Sequence, residues 1–410
     1  MSKRESRGPA PSVEDGLSIH LTEFLSTLAT AGYTQATQRD KRRLVERFIQ
    51  WAGGLELADE DLDETCVDTF LANPTRRHGK PRKMERATLH QFLEHLREVG
   101  VVPPRRGLEP SSADVLVQRY FEHLRTDRGL CDRSVAVYSP FVRKFVVAQR
   151  LPEHVASLDS SVIRRCLLVR SRDRSVSFAK LLTAALRSFL RFLFINGETA
   201  SDLSVAVPPI RRWRLATVPP FLTSEEVEKV IAIPDRATAT GCRAYAMLLL
   251  LARLGLRASE VAALELDDIR WDVGEIIVRG KGRNRDHLPL LDDVGQALVR
   301  YISDVRGPSS SRRVFLRLCA PHVGLSGPTA VCLVAREAVR RAGLLPIGRV
   351  GAHVFRHSLA TRMLQRGASL AEISKVLRHR SIDTTQLYAK VEFDALRDVA
   401  LPWPIAEVHP

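Results

Sequence analysis

The chain has 410 residues, of which 45% are hydrophobic and 27% charged, and its formal net charge at pH 7 is +15. This composition excludes an intrinsically disordered chain, and the length exceeds what one hydrophobic core usually supports, so two or three domains are predicted. The positive charge favours a polyanionic partner, with nucleic acid the first candidate and an anionic membrane surface the second.

The sequence argues against a membrane partner. Its longest uninterrupted apolar run, residues 244–252, is too short to cross a bilayer and lies between Arg243 and Arg253. The N-terminal segment lacks the apolar stretch of a secretory signal, so we predict a cytoplasmic protein. The six cysteines form no Cys-x-x-Cys pair, which indicates neither a disulfide framework nor a zinc ribbon.

The first half of the chain contains an internal repeat with an offset of 97 residues, as between Phe24 and Phe121. Apolar spacing typical of helices, without strand alternation, predicts two all-helical domains at residues 17–107 and 112–205, after a polar tail at 1–16. The other matching positions are packing residues and glycines: Gly32 and Gly129, Phe48 and Phe145, Phe92-Leu93 and Phe189-Leu190, Gly100 and Gly197.

Each repeat carries basic residues just before or within its last helix. Two equivalent faces would therefore contact phosphates, although a pair of solvated basic loops is the alternative. Proline-bearing stretches at residues 102–104 and 218–220 mark the domain junctions, because proline interrupts helices and strands. The candidate DNA-binding residues are Arg76, Arg77, Lys80, Arg82 and Lys83 in the first repeat and Arg172, Arg174, Lys180 and Arg187 in the second.

After the second junction the pattern changes to a mixture of helices and strands. Thr223 and Glu226 have the spacing of a capping box that starts a helix. Segments 275–278 and 287–290 predict a hairpin whose glycine-flanked turn contains Lys281. Further helices are predicted near residues 245–251, 329–342, 358–365 and 370–377. The last domain is thus expected to be mostly α with a small sheet.

Three sequence blocks in this domain carry candidate catalytic residues. They are Leu254-Gly255-Leu256-Arg257-Ala258-Ser259-Glu260, His353-Val354-Phe355-Arg356-His357-Ser358, and Leu377-Arg378-His379-Arg380-Ser381 followed by Thr384-Thr385-Gln386-Leu387-Tyr388. With the Gly280-Lys281-Gly282 turn, their order and spacing resemble the tyrosine recombinase, or phage integrase, family. The resemblance covers residues 217–400, leaving a tail at 401–410, and the second repeat is similar to the family's core-binding domain.

The resemblance implies a mainly α protein with a small β-sheet, in which two tandem all-helical, SAM-like core-binding domains precede an α+β catalytic domain. It implies a site-specific recombinase or integrase that cuts and rejoins DNA through a 3′-phosphotyrosine, without metal, ATP or another cofactor. The expected partner is double-stranded DNA, bound by a homo-tetramer on two sites, alone or with related recombinases. The catalytic set would be Arg257, Lys281, His353, Arg356, His379 and Tyr388.

The chemistry of phosphodiester cleavage accounts for these residue types. Attack produces a doubly charged phosphorane, and Arg257 and Arg356 can pair with its non-bridging oxygens while staying protonated. Tyr388 is expected to be the nucleophile, and His353, three residues before Arg356, the acceptor of its proton.

Three further residues would assist the reaction. His379 would add a hydrogen-bond donor to a non-bridging oxygen, and Lys281 would protonate the leaving 5′ oxygen. Glu260 is expected to orient Arg257 rather than to act as an acid. Two residues depart from the family pattern, because Arg378 stands where glycine is usual and Phe355 where leucine is common.

The sequence also bears on three other functions: a zinc enzyme, a DNA-binding accessory protein and a topoisomerase. His353 and His357 are spaced like helical zinc ligands, but Val354 stands where a metalloprotease helix needs its glutamate. A DNA-binding accessory protein with the same fold and no catalysis is the alternative from another class, and a type IB topoisomerase would use related chemistry. The complete six-residue set argues against the accessory protein, and the paired helical repeats suit site-specific synapsis better than a topoisomerase.

Overall fold

The computed structural model describes residues 13–55, 57, 61–72, 83–104, 110–210, 220–280, 285–344, 351–378 and 385. The described chain is mainly helical with one three-stranded sheet, which confirms the predicted fold class at this level. The chain divides into two compact units. One contains Met1–Pro103 together with Thr217–Pro410, and the other contains Pro104–Ala216. Among the described helices, none has the length and apolar character needed to cross a membrane.

The helices of the first 210 residues follow the predicted repeat. Each helix of the first set has its counterpart about 97 residues later, and each set buries its own hydrophobic cluster, from Leu17 to Val102 and from Leu116 to Val207. The first set is α1 (Val13–Thr30), α2 (Gln35–Gly53), α3 (Glu64–Ala72) and α4 (Lys83–Glu98), and the second is α5 (Ser112–Thr126), α6 (Asp132–Ala148), α7 (Ser160–Ser171) and α8 (Val176–Ile195).

The repeated residues are those that set the helix packing. Phe92 of α4 packs edge-on against Phe24 with ring centroids 5.3 Å apart. Its counterpart Phe189 of α8 also packs edge-on, but against Phe145, the counterpart of Phe48, at 6.2 Å. All four rings are buried. Edge-to-face contacts between aromatic rings stabilise the packing of neighbouring helices by more than the burial of their apolar surface provides.

The C-terminal segment contains α9 (Ser224–Ala232), α10 (Ala239–Arg253), α11 (Ala258–Ala263), α12 (Asp292–Asp304), α13 (Thr329–Arg341), α14 (His353–Gln365) and α15 (Leu370–Val376). The central helix α10 is buried along most of its length and packs against α12, α13 and α14. The capping box at the start of α9 is formed in both directions, from Thr223 to Glu226 and back.

The sheet contains β1 (Ile269–Arg270), β2 (Glu275–Arg279) and β3 (Arg285–Pro289), all antiparallel in the order β1-β2-β3. The predicted hairpin is confirmed, because β2 pairs with β3 in the register Val278 to Asp286. Ile276 and Val278 point into the core of the C-terminal segment. The tail at 401–410 lies outside the described residues.

Candidate active site

Helix α14 supplies two of the predicted catalytic residues. His353 is its first residue and Arg356 follows on the same face, as the three-residue spacing predicts. The Arg356 side chain is buried, with the residue 3% exposed. Its guanidinium donates to the carbonyl of Gly255 at 2.6 Å and to the carbonyl of Leu377. Arg356 therefore joins α14 to the segment before Arg257 and to the end of α15.

Gly255 shapes the turn between α10 and α11. Its φ is +59°, in the left-handed region that favours glycine. A Cβ atom here would lie 2.9 Å from Cδ2 of Leu359 and 3.0 Å from Cδ2 of Leu377. Glycine is thus required both for the turn and for the close approach of the helices around Arg356.

Arg257 precedes α11 and is held by a residue within that helix. Its Nη1 lies 2.6 Å from Oε1 of Glu260, and its backbone N–H donates to Oε2 at 2.8 Å. The predicted orienting contact of Glu260 is therefore present. The Arg257 guanidinium is held by Glu260 at Nη1 and lies 3.5 Å from the Arg378 carbonyl at Nη2. Its side chain nevertheless remains 37% exposed, while that of Glu260 is 6% exposed, so part of the guanidinium is accessible to a ligand.

Arg378 is a site residue whose role the sequence did not predict. Its φ is +53°, and its side chain is 6% exposed. Nη2 lies 2.8 Å from Oε2 of Glu260, and Nε lies 3.6 Å from Oδ2 of Asp286 on β3. Burial by itself raises the pKa of Glu260, but the charge of Arg378 and the hydrogen bonds from Arg257 outweigh it and lower that pKa. Glu260 is therefore a stable carboxylate between two arginines.

The two histidines of α14 are held neutral. Burial, followed by the charges of Arg356 and Arg257, lowers the pKa of His353 below its usual 6.5. Burial, followed by His353 and Arg356, lowers the pKa of His357 to about 4. A neutral imidazole at pH 7 can accept a proton, which is the role predicted for His353. Within the described ranges no group of three His, Cys, Asp or Glu residues is placed to hold a metal.

Three predicted catalytic residues, Lys281, His379 and Tyr388, lie outside the described residues, and their roles stay predictions. The same holds for Arg76, Arg77, Lys80 and Arg82 of the first basic cluster and for the side chain of Lys83. The described chain reaches Arg378, immediately before His379, and β2 and β3 lie on either side of the turn that contains Lys281.

The basic cluster of the second repeat divides into two pairs. Arg172 and Arg174 are exposed in the connection between α7 and α8, where Arg174 lies 5.5 Å over the ring of Phe178. Lys180 and Arg187 are half-buried on α8, and Arg187 donates to the carbonyl of Val207 at 2.9 Å. The exposed pair is therefore the more accessible to DNA, while Arg187 also holds the segment that follows α8.

Comparison with known proteins gives the family. Residues 220–394 match the model of the phage integrase family. The chain is 37% identical over 395 residues to a putative integrase/recombinase of Sinorhizobium fredii, covering 95% of each protein. It is 27% identical over 294 residues to the tyrosine recombinase XerD of Staphylococcus haemolyticus, covering 70% of this chain and 97% of that protein.

Two solved structures have a similar fold. XerH site-specific recombinase bound to a palindromic difH substrate has a TM-score of 0.54 at 15% identity, covering 96% of this chain and 97% of XerH. A lambda integrase tetramer bound to a Holliday junction has a TM-score of 0.52 at 16% identity, covering 81% of this chain and 92% of that one. The chain belongs to the phage integrase family. Within it, the protein is a tyrosine-type site-specific recombinase, as the motif blocks predicted.

The turn at Gly255 generates a stability prediction. Gly255→Ala should lower the urea midpoint of the full chain more than Gly274→Ala, whose φ of +65° is similar but whose added Cβ meets no atom within 4 Å. Both changes incur the left-handed backbone cost of about 1–2 kcal/mol, and overpacking against Leu359 and Leu377 adds about 1 kcal/mol or more. Equal losses from the two variants would contradict the packing role of Gly255.

The histidine environment generates a second prediction, measurable by NMR without DNA. Arg257→Gln should raise the pKa of His353, because removing a nearby positive charge makes protonation easier. His357 is the internal control, since Arg257 does not contribute to its pKa of about 4. Because the pKa of His353 is lowered, wild-type cleavage should persist to lower pH than an ordinary histidine base would allow. A His353 pKa that is unchanged by Arg257→Gln would refute this electrostatic coupling.

Proposed function

We propose that this enzyme cuts and rejoins duplex DNA at specific sites through a covalent bond between Tyr388 and a 3′ phosphate, without metal or ATP. The observation that carries the proposal is that Arg257 and Arg356 meet at the Gly255 turn, with His353, three residues before Arg356, close enough for both charges to act on it. These residues lie within the segment that matches the integrase family, as does Tyr388.

The electrostatics of the described residues suit an attack on phosphate. Arg257 presents a partly exposed guanidinium that is fixed at one end by Glu260, so it can bind a non-bridging oxygen with little reorganisation. His353 takes the phenolic proton as the Tyr388 oxygen bonds to phosphorus, and Lys281 gives a proton to the departing 5′ oxygen. The phosphotyrosine keeps the energy of the broken bond, so religation by a 5′ hydroxyl needs no nucleotide.

DNA binding by both helical repeats is part of the proposal. The net charge of +15 favours phosphate contacts, and two basic positions recur at the repeat offset, Arg77 with Arg174 and Lys83 with Lys180. The similar solved structures include DNA complexes, one of them a tetramer on a Holliday junction. We therefore propose a homo-tetramer on two DNA sites, in the cytoplasm, in which the tandem core-binding domains and the catalytic domain each contact DNA.

Tyr388→Phe tests the chemistry directly. The variant should bind DNA with near-normal affinity and form no covalent adduct on a suicide substrate, because only the nucleophilic oxygen is removed. Wild-type cleavage should persist in excess chelator. Adduct at wild-type levels from Tyr388→Phe would refute the nucleophile, and a wild type that binds DNA but never forms an adduct would indicate an accessory protein instead.

Lys281→Ala tests the general acid. On normal DNA it should cleave slower than wild type by about a hundredfold to ten-thousandfold. With sulfur in place of the bridging 5′ oxygen, the leaving thiolate has a conjugate acid of pKa about 8.5 and needs little protonation. Lys281→Ala should then approach the wild-type rate, whereas Arg257→Ala stays slow. Equal impairment of Lys281→Ala on both substrates would assign the lysine to phosphate binding.

A further inference from the structure

Arg378 occupies a conformation that disfavours arginine. Its φ of +53° is in the left-handed region, where a side chain with a Cβ is strained. Its guanidinium is also almost fully buried, and Nε and Nη1 have no hydrogen-bond partner among the described residues. Both features cost stability, and a glycine here would avoid both. A strained, under-bonded buried cation at the edge of a site calls for a functional explanation.

The contacts of Arg378 converge on the residue that holds Arg257. Oε2 of Glu260 accepts from Nη2 of Arg378 and from the backbone N–H of Arg257, while Oε1 pairs with the Arg257 guanidinium. The last torsion of a glutamate side chain has broad wells, and of the two donors on Oε2 the Arg378 guanidinium is the charged one, so it restricts rotation of the carboxylate more strongly than the backbone N–H of Arg257 alone. With Arg378 bound to Oε2, Oε1 is kept toward Arg257.

We infer that Arg378 is a positioning residue for the reaction, one that fixes the Glu260 carboxylate and thereby aims the exposed Arg257 guanidinium at the scissile phosphate. This inference rests on the proposed function. The burial of Arg378 argues against direct contact with the phosphate, because its side chain is 6% exposed whereas that of Arg257 is 37% exposed. The ion pair between Arg378 and Asp286 is longer, at 3.6 Å, and the Asp286 side chain is 42% exposed, so solvent weakens this ion pair.

The test uses full-length Arg378→Gly and Arg378→Met in single-turnover cleavage of a suicide substrate. Glycine relieves the backbone strain and removes the guanidinium, whereas methionine removes the charge and keeps the strain. Both should cleave slower than wild type by about tenfold to a hundredfold, since a small misalignment of a catalytic group has effects of this size. DNA affinity, measured separately, should change less than about threefold, because the phosphate contacts that dominate affinity are elsewhere.

Arg150→Gly is the matched control. Arg150 is exposed in the other compact unit and has a φ of +49°, so the same substitution relieves similar strain and removes one charge without touching Glu260. It should cleave at the wild-type rate. Melting midpoints of all variants, with cleavage measured well below the lowest of them, separate a loss of folding from a loss of positioning.

Two further measurements identify the route of action. Glu260→Gln combined with Arg378→Gly should be no slower than the slower single variant, since both act on one carboxylate. Arg378→Gly should also stay slow on the sulfur-bridged substrate, as Arg257→Ala does. Additive effects, rescue by sulfur, or wild-type cleavage by both Arg378 variants would overturn the inference while leaving the recombinase function intact. If neither wild type nor Arg150→Gly forms any covalent adduct, both the inference about Arg378 and the proposed function are wrong.

Discussion

The buried guanidinium of Arg356 connects three separate pieces of the C-terminal segment. It lies on α14 and donates to the carbonyl of Gly255 in the α10–α11 turn and to the carbonyl of Leu377 at the end of α15. Carbonyls at helix ends lack helical partners, and a charged donor satisfies them more strongly than a neutral one. Because Arg257 follows Gly255 by two residues and Arg378 follows Leu377 directly, the same cation sets the position of both neighbouring arginines.

This arrangement brings two arginines, Arg257 and Arg378, to the buried carboxylate of Glu260, with Arg356 bound to the carbonyls of the neighbouring Gly255 and Leu377. Like charges so close would repel strongly in a low dielectric, and Glu260 offsets part of that repulsion by pairing with two of them. The remaining positive charge matches a phosphodiester, which gains a second negative charge in the transition state. A lowered pKa keeps Glu260 ionised, so the balance persists across neutral pH. A net positive charge is therefore built into the described part of the site, as the proposed attack on phosphate requires.

Local patterns predicted much of this structure, and long-range contacts account for what they missed. The 97-residue repeat, the capping box at Thr223 and the hairpin around Lys281 each depend on residues close in sequence, or on positions that repeat at a fixed offset. Arg356 and Gly255 are 101 positions apart, and Arg378 and Glu260 are 118 apart. The sequence marked Arg378 as a departure from the family's glycine. Only the fold shows that its side chain reaches Glu260.

The two helical repeats indicate what a duplicated domain must keep and what it can change. Both copies retain the aromatic packing residues, because these fix the helix arrangement. Their polar interiors differ. Buried Lys41 donates to Thr88 at 3.1 Å and to Gln91 at 2.9 Å, and burial lowers the pKa of Lys41. The positions equivalent to these three residues in the second repeat are Tyr138, Ala185 and Ser188.

A buried polar network is stable only when all its members are satisfied, so it tends to be replaced as a set rather than one residue at a time. The two repeats therefore share their aromatic packing residues and differ together at the three positions of this polar network. Basic residues nevertheless recur at Arg77 with Arg174 and at Lys83 with Lys180. Recurrence of positive charge at these positions is what the proposed contact of both repeats with DNA phosphates requires.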